Sequence, residues 1–240
     1  DHAVFGVEYS PGNAARITLE GFYKKYSQYP ISIIDQVSLA NKGGGFEVLG
    51  NEAITSNGKG RSYGVEALYQ QKLAKNFYGV FAYTYFHSQF TTSKGKFLPS
   101  VWDSRHLISF SGGYKLKRNW EISARWRFSG LTPYVPVDLD GSLAAYPEIV
   151  LDYSQLGNAK LDPFNLADIR FDKKWNFKRY SFNFYFEIQN FLAQSIPLPE
   201  EYGLNRDVNG ELVSPNSLVQ VDINENNNIP IPTFGLVFDF

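Results

Sequence analysis

Hydrophobic and polar residues alternate with a period of two in nine stretches of this chain. Each stretch predicts a strand with one apolar and one polar face. The cleanest is residues 180–192, where Tyr180, Phe182, Phe184, Phe186 and Ile188 interleave with Ser181, Asn183, Tyr185, Glu187 and Gln189. Residues 231–240 repeat it, with Phe234, Leu236, Phe238 and Phe240 set against Thr233, Gly235, Val237 and Asp239. The other predicted strands are 3–9, 16–26, 61–73, 77–90, 106–116, 120–128 and 166–175.

Short turns and long loops join these strands alternately. Ser10-Pro11-Gly12-Asn13 is strong turn chemistry. Ala74-Lys75-Asn76 and Lys117-Arg118-Asn119 close two hairpins that repeat each other, Lys72-Leu73-Ala74-Lys75-Asn76-Phe77 against Lys115-Leu116-Lys117-Arg118-Asn119-Trp120. A three-residue hairpin loop commonly holds its last residue in the left-handed region, where Asn is tolerated best after Gly. That loop sets Leu116 opposite Trp120, Lys115 opposite Glu121 and Phe110 opposite Trp126, so apolar meets apolar and charge meets countercharge. A short turn at 176–179 joins the seventh and eighth strands, whose register stays open: one pairing sets Asp168 opposite Glu187, and a two-residue slide sets Arg170 there. Long loops are expected at about 29–57, after Phe90, at 134–163 and at 193–230.

No apolar run approaches the ~18 residues of a transmembrane helix, and mean hydropathy is −0.29. That excludes a helical membrane protein but not a β-barrel, whose strands give half their residues to a polar interior. Aromatic residues make up 17% of the chain, as a lipid-facing surface requires. The net charge of −1 gives no argument for nucleic acid. The absence of Cys excludes disulfide scaffolds and thiolate sites and suits passage through an oxidising periplasm. A soluble β-sandwich imitates the alternation but gives no reason for loops to segregate by length. The expectation is therefore an all-β, antiparallel transmembrane β-barrel with periplasmic turns and surface loops. Such barrels carry an even number of strands with both ends in the periplasm. Nine strands, and a sequence with no Met, lead to the expectation that these are the C-terminal strands of a larger barrel, with sequence missing upstream of Asp1.

The polar faces supply candidate lumen-facing residues: Glu66, Glu121, Arg125, Arg127, Asp168, Arg170, Asp172, Tyr185, Glu187 and Gln189. They would touch a plug or a substrate, or else form a solvated, self-compensating charge lattice. On the lipid side each charge would cost ~2–4 kcal/mol near the midplane. Trp120, Trp126, Trp175 and Tyr180, with Phe240, suit an aromatic girdle at headgroup level. Asp103, Arg105 and His106 read as a rim ion-pair network rather than catalytic groups. Gly43-Gly44-Gly45 lacks the helix and Lys of a phosphate loop. Asp207-Val208-Asn209-Gly210-Glu211 and Asp222-Ile223-Asn224-Glu225-Asn226 are oxygen-rich, but neither completes a calcium loop. No metal-ligand spacing, cofactor motif or catalytic constellation is evident.

Several local patterns resemble the C-terminal half of a TonB-dependent outer-membrane receptor, of the variety abundant in the Bacteroides group. They are Gly60-Arg61-Ser62-Tyr63-Gly64-Val65-Glu66 opening a strand, Pro99 followed by Trp102-Asp103-Ser104-Arg105-His106 entering one, Gly130-Leu131-Thr132-Pro133-Tyr134 with Pro136 and Asp138 at a strand exit, and the closing Phe240. In that family's manner, Phe234, Leu236, Phe238 and Phe240 resemble the signal read by the barrel-assembly machinery. The resemblance implies a barrel of about 22 strands in the outer membrane of a Gram-negative bacterium, filled by a plug and energised through TonB. It implies active uptake of a scarce or large nutrient, with outer-membrane lipid, the rest of the barrel, the plug, TonB and a surface lipoprotein as partners. The sequence departs from the family by lacking the plug, the TonB-contacting segment and the early strands. A passive channel, an outer-membrane complex component and a barrel enzyme using Asp103 and His106 are the alternatives.

Overall fold

The computed structural model describes residues 1–42, 49–214, 216–221 and 228–240. Gly43-Gly44-Gly45 and the Asp222 to Asn226 run lie outside the described residues. The strands, in chain order, are β1 (His2–Tyr9), β2 (Ala15–Ser32), β3 (Ile54–Ala74), β4 (Phe77–Thr91), β5 (Phe97–Pro99), β6 (His106–Lys115) and β7 (Trp120–Ser129). They continue with β8 (Thr132–Pro133), β9 (Lys160–Leu161), β10 (Phe164–Asn176), β11 (Ser181–Gln189), β12 (Glu201–Leu204), β13 (Leu218–Val221) and β14 (Ile231–Asp239). A short helix, α1 (Leu139–Ala145), begins at Asp138, whose side chain accepts from the Gly141 N–H.

The main sheet runs β1-β2-β3-β4-β6-β7-β10-β11-β14, with β5 attached to β4. Every pairing is antiparallel, and the nine strands of the path are the nine that period-two alternation predicts. The path does not close: β1 pairs only with β2, and β14 only with β11. The long loops hold two small extra hairpins, β8–β9 and β12–β13. They are two to four residues per strand, too short for alternation to reveal.

The ladders correct several expected boundaries. β2 runs on to Ser32 and β3 starts at Ile54, so the loop between them is shorter than 29–57. The register shifts between Ser27 and Tyr29 and again between Tyr29 and Ile31, and Gln28 is left-handed (φ 56°). A bulge inserts an odd residue and breaks the period, so pairing continues where the sequence pattern stops. At about 3.3 Å per residue, the 21 residues of β3 carry it well past a membrane that needs about 9–11. β11 ends at Gln189 rather than Leu192, because Asn190 and Ala193 turn left-handed at φ 51° and 52°. The first repeated hairpin has a two-residue loop, Lys75-Asn76, with Ala74 paired to Phe77. Both loop residues are left-handed, as are Arg118 and Asn119 in the second hairpin, matching the twist a tight hairpin demands. Leu116 donates to Trp120 O at 2.7 Å, and Lys115 pairs with Glu121 and Phe110 with Trp126, as the loop length predicts. The open register resolves with Arg170 opposite Glu187.

The buried apolar side chains among the described residues are Ile31, Val37, Ala40, Phe90, Val101, Leu156 and Ala167. All but Ala167 sit at the long-loop end, so the wall itself has no hydrophobic core. There the loops pack on one another. Asn41 Nδ2 donates to Pro99 O at 2.6 Å, Val101 N to Ala40 O at 3.3 Å and Ser93 N to Gln36 O at 3.0 Å. Phe90 lies across Gly60, where a Cβ would stand 2.3 Å from the ring, and meets Tyr29 at 4.5 Å. Gly60 is therefore a packing requirement of the motif it opens.

The neck of the 33–53 loop is held by one cation between two carboxylates. Lys42 Nζ reaches Asp35 Oδ2 at 2.5 Å and Glu52 Oε1, while Ser32 also donates to Glu52. Hydrogen bonds from Lys42 and Ser32 hold the Glu52 carboxyl below the usual carboxylate range against the opposing effect of burial. A depressed carboxylate contributes stability above its ordinary pKa and loses it as pH falls through the lowered value. Tryptic cleavage after Lys42 in the detergent-folded protein should accordingly be slow at neutral pH, where Glu52 is ionised. Glu52→Gln should cleave fast at neutral pH, with peptide mass mapping as the readout.

Candidate functional site

Pairing across the ladders sorts the side chains onto two faces. One face carries Phe5, Leu19, Val65, Phe81, Phe110, Trp126, Phe171, Phe184 and Leu236, and it is open: Phe5 is 78% exposed and Phe234 76%. All ten candidate lumen residues fall on the other face. Glu66 pairs with Glu20 and Thr84, Arg127 with Ser109, and Gln189 with Ile231 at the strand's last rung.

Most of these ten converge on β7, β10 and β11. Arg125 Nε donates to Asp168 Oδ2 at 2.9 Å, and the other Asp168 oxygen accepts the Asn190 N–H at 3.0 Å. Arg170 grips Asp172 with two bonds of 2.8 Å. Its guanidinium lies 3.9 Å over the Tyr185 ring and 3.6 Å from Glu187. Glu187 also meets Arg125 at 3.9 Å, so one carboxylate links the two arginines. Asn183 Nδ2 adds a bond to Asp172 at 3.0 Å, and Tyr78 donates to Glu121. Tyr78, Glu121, Arg170, Asp172 and Asn183 line a cleft of about 500 Å3 toward the short-turn end. The network sets two guanidiniums against three carboxylates, joined by hydrogen bonds across neighbouring strands. It can offer an opposing polar surface paired donors and acceptors, but it holds no free nucleophile.

Glu66, Arg127 and Gln189 stand apart from it. The rim residues do not form one unit either. Asp103 is buried at 2% exposure and meets Arg105 Nε at 3.4 Å, while His106 Nδ1 faces the Tyr83 hydroxyl at 2.9 Å. Burial pushes the Asp103 carboxyl up, with Arg105 pulling the other way. Asp207 accepts from the Asn209 and Glu211 N–H groups at 2.9 Å, capping its own turn.

The girdle candidates divide between two levels. Trp120 and Trp175 flank Lys173 at 5.3 and 5.5 Å, and Tyr180 stacks on Phe177 at 4.6 Å in the turn. Trp126 is six residues beyond Trp120, about 20 Å along the strand, and its indole donates to Asn165 at 2.7 Å. At that end the same face carries rings the sequence reading passed over: Tyr63 stacks on His87 at 5.2 Å, and Tyr85 meets His106 at 5.1 Å. The run Tyr83, Tyr85, His87, on alternate residues approaching a long loop, was the available signal.

Residues 4–191 match the family described as "TonB dependent receptor-like, beta-barrel". The chain belongs to this family. Its barrels are outer-membrane transport receptors of Gram-negative bacteria rather than enzymes, and that membrane is this receptor barrel's location. Among solved structures it resembles the ferric-catecholate import receptor Fiu of E. coli K12 (TM-score 0.56, 10% identity, 99% of this chain and 27% of that one). It also resembles the siderophore receptor PiuA of Acinetobacter baumannii (0.56, 11%, 99% and 28%) and the ferripyoverdine receptor of Pseudomonas aeruginosa (0.55, 14%, 98% and 27%). At such identities the likeness is one of fold. The chain spans under a third of the length of these relatives. No curated protein matches it.

The charge network should be worth more as a hub than as separate pairs. Asp168→Ala strands a buried N–H and a guanidinium and should cost about 1–3 kcal/mol. Arg125→Ala, which removes a half-exposed cation, should cost under about 1 kcal/mol. Urea unfolding of the detergent-folded protein measures both.

Proposed function

We propose that these strands form part of the wall of a TonB-dependent outer-membrane receptor that takes up a scarce or large nutrient. The polar face lines the interior and the apolar face meets lipid. The observation that carries this reading is the partition itself within a chain of this family: bonded charges share one face, and exposed aromatics with no core beneath them share the other. The two unpaired sheet edges fit a cylinder completed by further strands. The Arg125–Asp168–Glu187–Arg170 network suits contact with a plug, through which TonB would act. The long loops, packed on one another around Lys42 and Asn41, suit ligand capture at the surface, alone or with a surface lipoprotein. Phe234, Leu236, Phe238 and Phe240 stand exposed along one face as a signal for the assembly machinery. The reading assigns no catalysis to Asp103 or His106.

The relatives' names point to ferric chelates as the first substrate class to try. The test need not wait for the ligand. The whole receptor should bind the periplasmic domain of TonB and should not pass small sugars in liposome swelling; free passage without TonB would make it a passive channel. Because this chain has no Cys, facing is directly readable. Asn183→Cys should react with a membrane-impermeant thiol reagent and Phe184→Cys should not, and the reverse pattern would overturn the assignment of faces.

A further inference from the structure

The repeated hairpins have an unexplained half. Their Asn residues are fixed by backbone conformation, but their cations are not fixed by any countercharge. Among the described residues no carboxylate pairs with Lys75, Lys117, Arg118, Lys178 or Arg179. These residues occupy three turns that are neighbours in the sheet, between β3 and β4, β6 and β7, and β10 and β11. The opposite end has the opposite sign: the loop from 134 to 163 carries Asp138, Asp140, Glu148, Asp152 and Asp162 against Lys160 alone.

Lys173 ties this basic rim to the apolar face. It pairs with Trp120 on one side and Phe184 on the other, which puts a charge among the aromatic rings of the apolar face three residues before β10 ends. Its ammonium lies between the Trp120 and Trp175 rings and donates to the Arg118 carbonyl, so the side chain bends toward the turn. Among the described residues no carboxylate meets it either. Phe171 and Phe184 continue the apolar surface below. A ligand that satisfies all of this carries negative charge at the level of the indoles and hydrocarbon beneath them.

We propose that this rim binds the phosphate headgroup of an anionic glycerophospholipid in the periplasmic leaflet, centred on Lys173 and Arg118, with acyl chains on Phe171 and Phe184. The inference rests on the membrane-barrel reading above. Short turns mark the periplasmic end, so the source is a phospholipid rather than the lipopolysaccharide of the outer leaflet. A basic side chain at an anionic bilayer surface gains about 1 kcal/mol.

The test uses the whole receptor in nanodiscs of equal parts dioleoylphosphatidylglycerol and dioleoylphosphatidylcholine. The lipids retained after detergent extraction are counted by native mass spectrometry. The parent protein should retain phosphatidylglycerol preferentially. Lys173→Gln, Arg118→Gln and Lys178→Gln should each lower that preference, by up to about fivefold, while Lys94→Gln with Lys96→Gln, in the loop between β4 and β5, should leave it unchanged. Equal retention in parent and rim variants, or preferential retention of added lipopolysaccharide through the same residues, would overturn the proposal. A nitroxide on Phe184→Cys separates the two levels of failure: its collisions with oxygen but not with aqueous nickel persist if only the lipid site is wrong, and vanish if the membrane facing is wrong.

Discussion

Hydrocarbon offers no hydrogen bonds, and that constraint governs this molecule more than any single contact. A strand can cross a bilayer only if its amides and carbonyls are satisfied by neighbours in a ladder. The unbroken antiparallel path from β1 to β14 meets that condition for every interior strand. Once the backbone is committed to ladders, each residue has only the choice of two faces. Phe182, Phe184 and Phe186 on one side and Asn183, Tyr185 and Glu187 on the other show that choice made without exception along β11.

A soluble domain puts its apolar residues inside and its charges outside. Here the bonded charges and the buried side chains gather at two separate places. One is the polar face, where Glu187 bridges two arginines. The other is the long-loop end, where Phe90, Val101 and Leu156 are buried together with polar residues such as Asn41 and Ser100. Between them the wall relies on lipid in place of a core. The aromatic residues of its apolar face gather at two levels, Trp120 and Trp175 at the short-turn end and Tyr63, Tyr85 and Trp126 toward the long loops.

The wall was legible in the sequence because alternation is a local signal. All nine strands, the register of the second repeated hairpin and the sharing of one sheet face by the ten polar candidates follow from period two and turn length. What was not legible depends on non-local geometry. The extension of β2 and β3 hides behind a bulge at Gln28, which shifts the period by one. The pairing of Arg170 with Glu187 could not be told from its neighbour, because either register joins charged residues. The loop hairpins, the Lys42 clamp and the parting of His106 from Asp103 join residues distant in sequence or set by ring contacts, which no spacing encodes.

The two sheet edges also bear on how this chain must be handled. β1 and β14 each present a row of amide and carbonyl groups on the side away from their partner. Bare strand edges are adhesive, and here they flank a surface already coated with Phe and Leu. Produced by itself in water, the chain has every ingredient of a cross-strand aggregate. Its solubility would therefore depend on the company it keeps during biogenesis, a demand for escort that the sequence of a self-contained domain does not impose.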